Sequence, residues 1–521
     1  MITYKKYLPL LIGLSLTPTA FAHDTPPENI TRTSLIYDRH AEQLGYHGTS
    51  MGQFGTSVHD RPRSQPLAPN IVTGTRFNEQ YINRQIALWS LRQINSSMPL
   101  IDDAWSNQVI NDMTAQMNAL VRTQSLIATP IINDSSINAF AVPGGVIGMN
   151  TGTILSAGGL DEVASVIAHE IAHLSQRHYE HNQENSKKLI ALQIGGLLAA
   201  LAASSVSGDV AAAAMIGSQT ATAETAASHS REHEREADRM GQQILVQAGY
   251  DAAAMPRFFE RLYKQVSLTT AKNAFVPSFI QSHPFTAERL SESMSRAKGY
   301  PVPSMVAREQ QARLFDKLTW RLRYLTKQSG LDELTIHAKR SDGARLALVM
   351  YLADNARTNE ALRLFANASF DPSDPLVCLT HAHVLTKMNN HAQAVTVLSS
   401  CQAIYPERRD LRLHLADAYV STGDTAKALA LLTPLTERTP HDRQAWQGIQ
   451  HAYEKSRMDK NIATIHALHA RSQVELWTGK YDGALQSNAQ ATKVAKAHHS
   501  NLLPMLEQSK AMIIQARDYK P

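Results

Sequence analysis

Ala382 and Ala416 lie 34 residues apart, and the residues around them recur at that spacing. The clearest copy holds Leu415, Ala416, Tyr419, Gly423, Ala428, Leu432 and Pro440. The copy before it holds Ala382, Leu385, Ala394, Leu398 and Pro406, and the copy after it Trp446, Ile449 and Tyr453. A weaker first copy has Leu352, Ala361, Phe365 and Ala368. Trp477 to Tyr481, followed by Ala484 and Leu485, predicts one more helix pair. A 34-residue period with these apolar positions is a helix–turn–helix unit. No such unit buries its apolar face alone, so residues 341–521 must stack as helical hairpins with a concave face suited to peptides or proteins. Within one unit, the start of the first helix faces the end of the second. Cys378 and Cys401 hold those two places. A structural disulfide between them is expected, with two buried free thiols as the alternative.

The N-terminal half follows other patterns. Residues 1–22 carry Lys5 and Lys6, an apolar core from Tyr7 to Leu16, and Ala20-Phe21-Ala22. That is the form of an export signal cleaved after Ala22, and its apolar run is too short to span a membrane. Residues 23–75 are polar and rich in Pro, Gly, His and Ser, which predicts a flexible extension. The 51 basic residues, two of them in the signal, barely outnumber the 46 acidic ones. That excess gives no reason to invoke nucleic acid.

Helical spacing begins near Arg76 with Ile82, Ile86, Trp89 and Leu91, and a second helix is predicted from Asp102 to Val121. The period then changes to that of strands at Leu126–Ile132, Ile137–Val142 and Val146–Asn150, the last two joined by Pro143-Gly144-Gly145. Asp161 is placed to cap a helix running to about His181. Leu189–Ala203 and Val210–Ile216 are apolar runs, the first about 15 residues long and containing Gln193. They predict a helical hairpin packed over the domain. The alternative is a surface that dips into lipid, a peripheral membrane contact. A long helix from about Ala226 to Gln247 ends at Gly249, and after Pro301 and Pro303 only helices follow.

The predicted capped helix contains His169-Glu170-Ile171-Ala172-His173. Residues i and i+4 share a helix face, so both imidazoles can reach one metal ion, with Glu170 beside them as general base. A catalytic zinc needs a third protein ligand. The segment Ser230 to Arg239 offers Glu234 and Asp238, four apart on one face; Asp238 can accept a hydrogen bond from the far nitrogen of a ligand histidine. Locally, Glu232 and Glu236 compete with Glu234, and nothing in the spacing chooses among them.

Together these stretches resemble the M48 family of zinc metallopeptidases. Asn138 to Gly145 is similar to that family's strand before the metal helix, His169 to His173 to its metal motif, and Ser230 to Asp238 to its S-R-x-x-E-x-x-A-D segment. The resemblance implies one zinc ion per chain held by His169, His173 and Glu234, with Glu170 and Asp238 in catalytic roles. Asn138, Ala139 and Phe140 become candidates for the strand that binds substrate. Ser282 to Arg289 matches a further family segment, in which His283 is a candidate fourth ligand or regulatory group, or lies near the substrate carbonyl. His178 falls off the ligand face and reads as structural.

The implied architecture is mainly α. An α+β protease domain of the HExxH zincin type, with a small sheet, spans residues 76–300. A helical linker over 301–340 leads to an all-α tetratricopeptide-repeat solenoid over 341–521. An export signal followed by such repeats points to the periplasmic branch of the family. Its implied work is degrading misfolded or misassembled envelope proteins and assisting outer-membrane protein assembly, with the outer-membrane β-barrel assembly machinery as partner through the repeats. The competing expectation is a repeat-based chaperone or scaffold with little or latent proteolysis.

Overall fold

The computed structural model describes residues 74–121, 126–175, 223–270, 283 and 286–521. The expected export signal over residues 1–22, the expected extension up to residue 73, the apolar runs over 189–216, and His178 lie outside the described residues. Two helices, α1 (Gly74–Ser97) and α2 (Ala104–Val121), precede a three-stranded sheet of β1 (Ile131–Ile132), β2 (Ala139–Val142) and β3 (Val146–Asn150). The strand order is β1-β3-β2, with β1 parallel and β2 antiparallel to β3. Strand β2 therefore lies at the end of the sheet.

The expected strand over Leu126–Ile132 shrinks to its last two residues. Ile127 and Ala128 both donate to the single carbonyl of Gly145, at 2.6 and 3.3 Å, and Pro130 has no amide to give. Strand β2 starts at Ala139 rather than Ile137, because the Asn138 amide turns to Thr153 Oγ1 at 2.9 Å. A short helix, α3 (Thr151–Ser156), separates the sheet from α4 (Leu160–Ser175), the helix of the HExxH motif. Asp161 does not cap α4. The Gly159 carbonyl accepts the first helical amides, from Glu162 and Val163, and Asp161 sits inside the first turn facing Arg257.

Helix α5 (Ala223–Gln247) crosses α4 and ends at Gly249, whose φ of +84° is the left-handed stop that glycine provides without steric cost. Among the described residues the next helices are α6 (Ala254–Thr270), α7 (Ala287–Ala297) and α8 (Met305–Leu325).

The repeats begin after the short helix Leu331–His337. Successive pairs open at Asp342, Pro375, Arg409 and Arg443, the 33–34-residue period seen in the sequence. Ala361, Ala394 and Ala428 are fully buried, one in each second helix. A methyl group is all that fits where the two helices of a pair cross. The last pairs include α9 (Arg443–Glu454), α10 (Lys460–Trp477) and α11 (Tyr481–His498). Cys378 and Cys401 are joined by a disulfide that ties the two helices of one hairpin, with Cα atoms 6.5 Å apart.

The repeats do not hang from a linker. Leu318 and Leu322 of α8 pack in one core with Val163, Ile167 and Ile171 of α4, and that core runs on into Leu376, Leu411 and Leu415 of the repeats. Buried ion pairs reinforce the junction. Asp103, at the start of α2, takes Arg321 of α8 at 2.6 Å and the Ser106 amide and hydroxyl at 2.9 and 2.7 Å. Burial alone would raise the Asp103 carboxyl, but Arg321 and Ser106 outweigh it and hold it down at about 2.

A carboxyl depressed on folding contributes stability above its ordinary pKa and loses that contribution as pH falls through the folded value. Asp103→Asn is expected to cost about 2 kcal/mol at neutral pH. Urea midpoints at pH 7 and near pH 2.5 check this, because the gap between parent and variant should narrow in acid.

Candidate metal centre

Helix α4 is buried on nearly every side, with Val163, Ala164, Ile167, Ala168, Ile171 and Ala172 all out of solvent. Its polar residues therefore have to find partners inside the protein. The partners come from α5. Glu234, Asp238 and Gly241 lie four and three residues apart, on one face of that helix. At Gly241 a Cβ would stand 3.2 Å from the His169 Cα, so a residue without a side chain lets α5 lie close against α4 at the motif.

The crossing gathers four donors. His169 Nε2 and His173 Nε2 are 3.0 Å apart. Glu234 oxygens lie 3.4 and 3.3 Å from those two nitrogens. His283 Nδ1 lies 3.3 Å from His169 Nε2 and 3.1 Å from Glu234 Oε1. All four residues are buried, and their ligand atoms lie within 4.8 Å of one another. Tetrahedral bonds of roughly 2.0–2.1 Å would set ligand atoms about 3.3 Å apart. The contacts of 3.0–3.4 Å, in which the two Glu234 oxygens serve different histidines, are close to that spacing, and the group could hold a cation.

Around this group the charges alternate. His169 Nδ1 faces Asp238 Oδ1 at 3.1 Å. Arg289 Nε and Nη2 donate to the two Asp238 oxygens at 2.7 and 2.8 Å, and its Nη1 lies 2.9 Å from Glu234 Oε2. Burial works against charge on His169, yet hydrogen bonds to Asp238 and Glu234 push it up to about 10. Burial, with two neighbouring histidines, drives His173 down to about 3. Glu234 lies far below the ordinary carboxylate range, because the three histidines overcome its burial.

Glu170 stands apart. It is fully buried, and neither carboxylate oxygen has a hydrogen-bond partner among the described residues. His283 Nε2 approaches to 3.5 Å, and the Ala141 amide faces the carboxylate from β2. Burial pushes its carboxyl up from the ordinary carboxylate value. A buried carboxylate with few polar neighbours beside a metal-sized cluster is placed to handle a proton there.

Of the strand candidates, Ala139 and Phe140 fall on β2, and Asn138 stands just before it. Asn150 N–H donates to Asn138 O at 2.9 Å. By alternation Asn138, Phe140 and Val142 turn their backbone groups to β3, and Ala139 and Ala141 turn theirs to the outer edge. Glu232 and Arg231 are exposed, and the exposed Arg239 pairs with Glu236. None of these joins the cluster. Two contributors escaped sequence reasoning, Arg289 and Gly241. Arg289 lay inside the quoted Ser282 to Arg289 segment, but a lone arginine in a charged helix carries no sign that it will be buried. Asp238→Asn is expected to weaken metal retention by roughly 10–100-fold with the fold intact. Competition with a chelator measures this, and an unchanged affinity would detach Asp238 from the site.

Residues 101–297 match peptidase family M48, and residues 385–451 match the tetratricopeptide repeat. The β-barrel assembly-enhancing protease of Yersinia pestis is 28% identical over 406 residues, 74% of this chain and 79% of that protein. The protein of the same name from Escherichia coli K12 is 25% identical over 427 residues, 79% of this chain and 84% of its own. A mitochondrial metalloendopeptidase of Arabidopsis thaliana is 25% identical over 225 residues, 41% of this chain and 42% of its own.

Proposed function

With an M48 peptidase domain and tetratricopeptide repeats in one chain, the protein is a metalloendopeptidase, and we propose that its metal is zinc and its substrates are misfolded or misassembled envelope proteins. In this reading it works in the periplasm and assists outer-membrane protein assembly, with the β-barrel assembly machinery meeting the repeats. The relatives' printed names support the assembly role, and the form of residues 1–22 supports export. The catalytic part spans residues 76–300, the repeats 341–521, and 301–340 joins them.

The observation that carries the reading is the group of four buried donors whose ligand atoms lie within 4.8 Å of one another, with the buried Glu170 carboxylate beside it. His169, His173 and Glu234 hold the ion, and Asp238 orients His169 through its second nitrogen. A bound zinc ion supplies Lewis acidity, acidifying water and polarising a carbonyl. Glu170 accepts the proton of the attacking water and passes it to the leaving amine. Substrate lies extended against the outer backbone groups of Ala139 and Ala141 in β2. Backbone pairing reads no side chain, so selectivity is broad and unfolded chains are preferred. Glu170→Gln is expected to abolish peptide cleavage with zinc still bound, read by a peptide assay alongside metal analysis.

His283 favours a second element. Its Nδ1 joins the candidate donors, and a zinc ion held by all four residues would have His283 where a catalytic water would otherwise bind. The resting protein is then latent, acting chiefly as a repeat-based chaperone or scaffold until His283 withdraws. His283→Ala is expected to raise cleavage of an unfolded protein several-fold; equal or lower activity overturns the latency.

A further inference from the structure

The repeat domain reaches the back of the substrate sheet. His441 lies in the loop before α9, which is steadied by a hydrogen bond from Trp446 Nε1 to Pro440 O at 2.9 Å. His441 Nε2–H donates to Ile127 O at 2.7 Å, across 314 residues of sequence. The Ile127 amide in turn donates to Gly145 O in the β2–β3 turn, and Ile147 N–H donates to Ala128 O at 3.0 Å. The strap Ile127–Ala128 therefore joins the repeats to the turn of the substrate hairpin.

A second route ends on the same repeat residues. At Gly144, whose φ is +94°, a Cβ would stand 2.1 Å from Asn83 O, so the turn is pressed onto α1. From α1, Asn95 Nδ2 donates to Trp477 O at 2.9 Å, and the Arg92 guanidinium lies over the Trp477 ring at 5.5 Å. The Trp477 and His441 rings meet edge to face, 5.7 Å between centroids. Ile86, Ala87 and Leu91 of α1 share one small core with Ile127, Val142 and Val146, so no slack separates the two routes. The strap runs along β3 on the side away from β2, so the tether passes through β3 and the β2–β3 turn to β2, whose Ala141 faces Glu170.

We propose that His441 is a positioning residue that fixes the substrate-binding edge of β2 through Ile127, which makes the repeat domain part of the substrate site. The proposal rests on the reading of β2 as the strand that pairs with substrate. His441 touches neither the metal ligands nor Glu170. Its loss should therefore act on substrate alignment and leave the metal in place.

The test compares His441→Phe, which keeps a ring against Trp477 and loses the donor, with His441→Gln, which keeps a donor. Both are made in the full-length chain, with and without His283→Ala, and assayed on an unstructured peptide. His441→Phe should raise KM about tenfold with kcat within about twofold and metal content unchanged, and His441→Gln should stay near the parent. Amide exchange at Gly145 to Ile147 should quicken in His441→Phe alone. Faster exchange with an unchanged KM would make the bond merely structural and overturn the proposal. Ala139→Pro, which removes one outward amide of β2, separates the two readings. If it raises KM and His441→Phe does not, the clasp is overturned and the substrate strand stands. If Ala139→Pro leaves KM unchanged, the strand reading falls and takes the clasp with it. Should His441→Phe fail to fold, Asn95→Leu breaks the other tether to Trp477 and is read the same way.

Discussion

The close crossing of α4 and α5 is the contact on which the rest of the molecule depends. It brings five ionisable side chains, His169, His173, Glu234, Asp238 and Arg289, out of water together. A buried charge without a partner costs several kcal/mol, so the arrangement survives only because signs alternate. Arg289 neutralises Asp238 and one side of Glu234, and Asp238 faces His169. The remaining side of Glu234 and the nitrogens of the histidines converge on a volume the size of one cation. Gly241 permits the approach, and His283 and Arg289 arrive from one short segment, so both the closure of the site and its charge balance hang on the chain around α7.

The repeats bear on this centre mechanically. A shared apolar core runs from α4 through α8 into the first repeat helices, and Arg321 and Arg443 clamp Asp103 and Asp102 at the start of α2. A repeat domain attached in this way does more than hold a client on a tether. Its contacts at His441 and Trp477 reach Ile127 and α1, which pack against the sheet beside the HExxH helix.

Much of this architecture was legible in the sequence, and the reasons differ by element. The repeat hairpins were plain because their period, small residues and turn positions recur in one dimension. Strands β2 and β3 were legible from alternation and the Pro-Gly-Gly turn. The segment from Leu126 was misjudged because apolar residues there satisfy burial without a continuous ladder, Pro130 having no amide. Asp161 misled for a related reason. It has the composition of a cap, but Arg257 from α6 draws its carboxylate into an ion pair.

By itself the sequence determined what depends on neighbours within a turn or a repeat: the paired faces of His169 and His173, the pairing of Glu234 with Asp238 along one helix face, and the Cys378–Cys401 hairpin. Helical and repeat geometry set those relations wherever the helix forms. Local spacing left Glu232, Glu234 and Glu236 open and the family resemblance pointed to Glu234; only the tertiary structure decided that Arg289 is buried against Asp238, that His283 joins the donor group, and that His441 holds Ile127. Those contacts join residues 49, 51 and 314 positions apart. No local periodicity spans such distances, and each contact exists because packed helices bring the partners together.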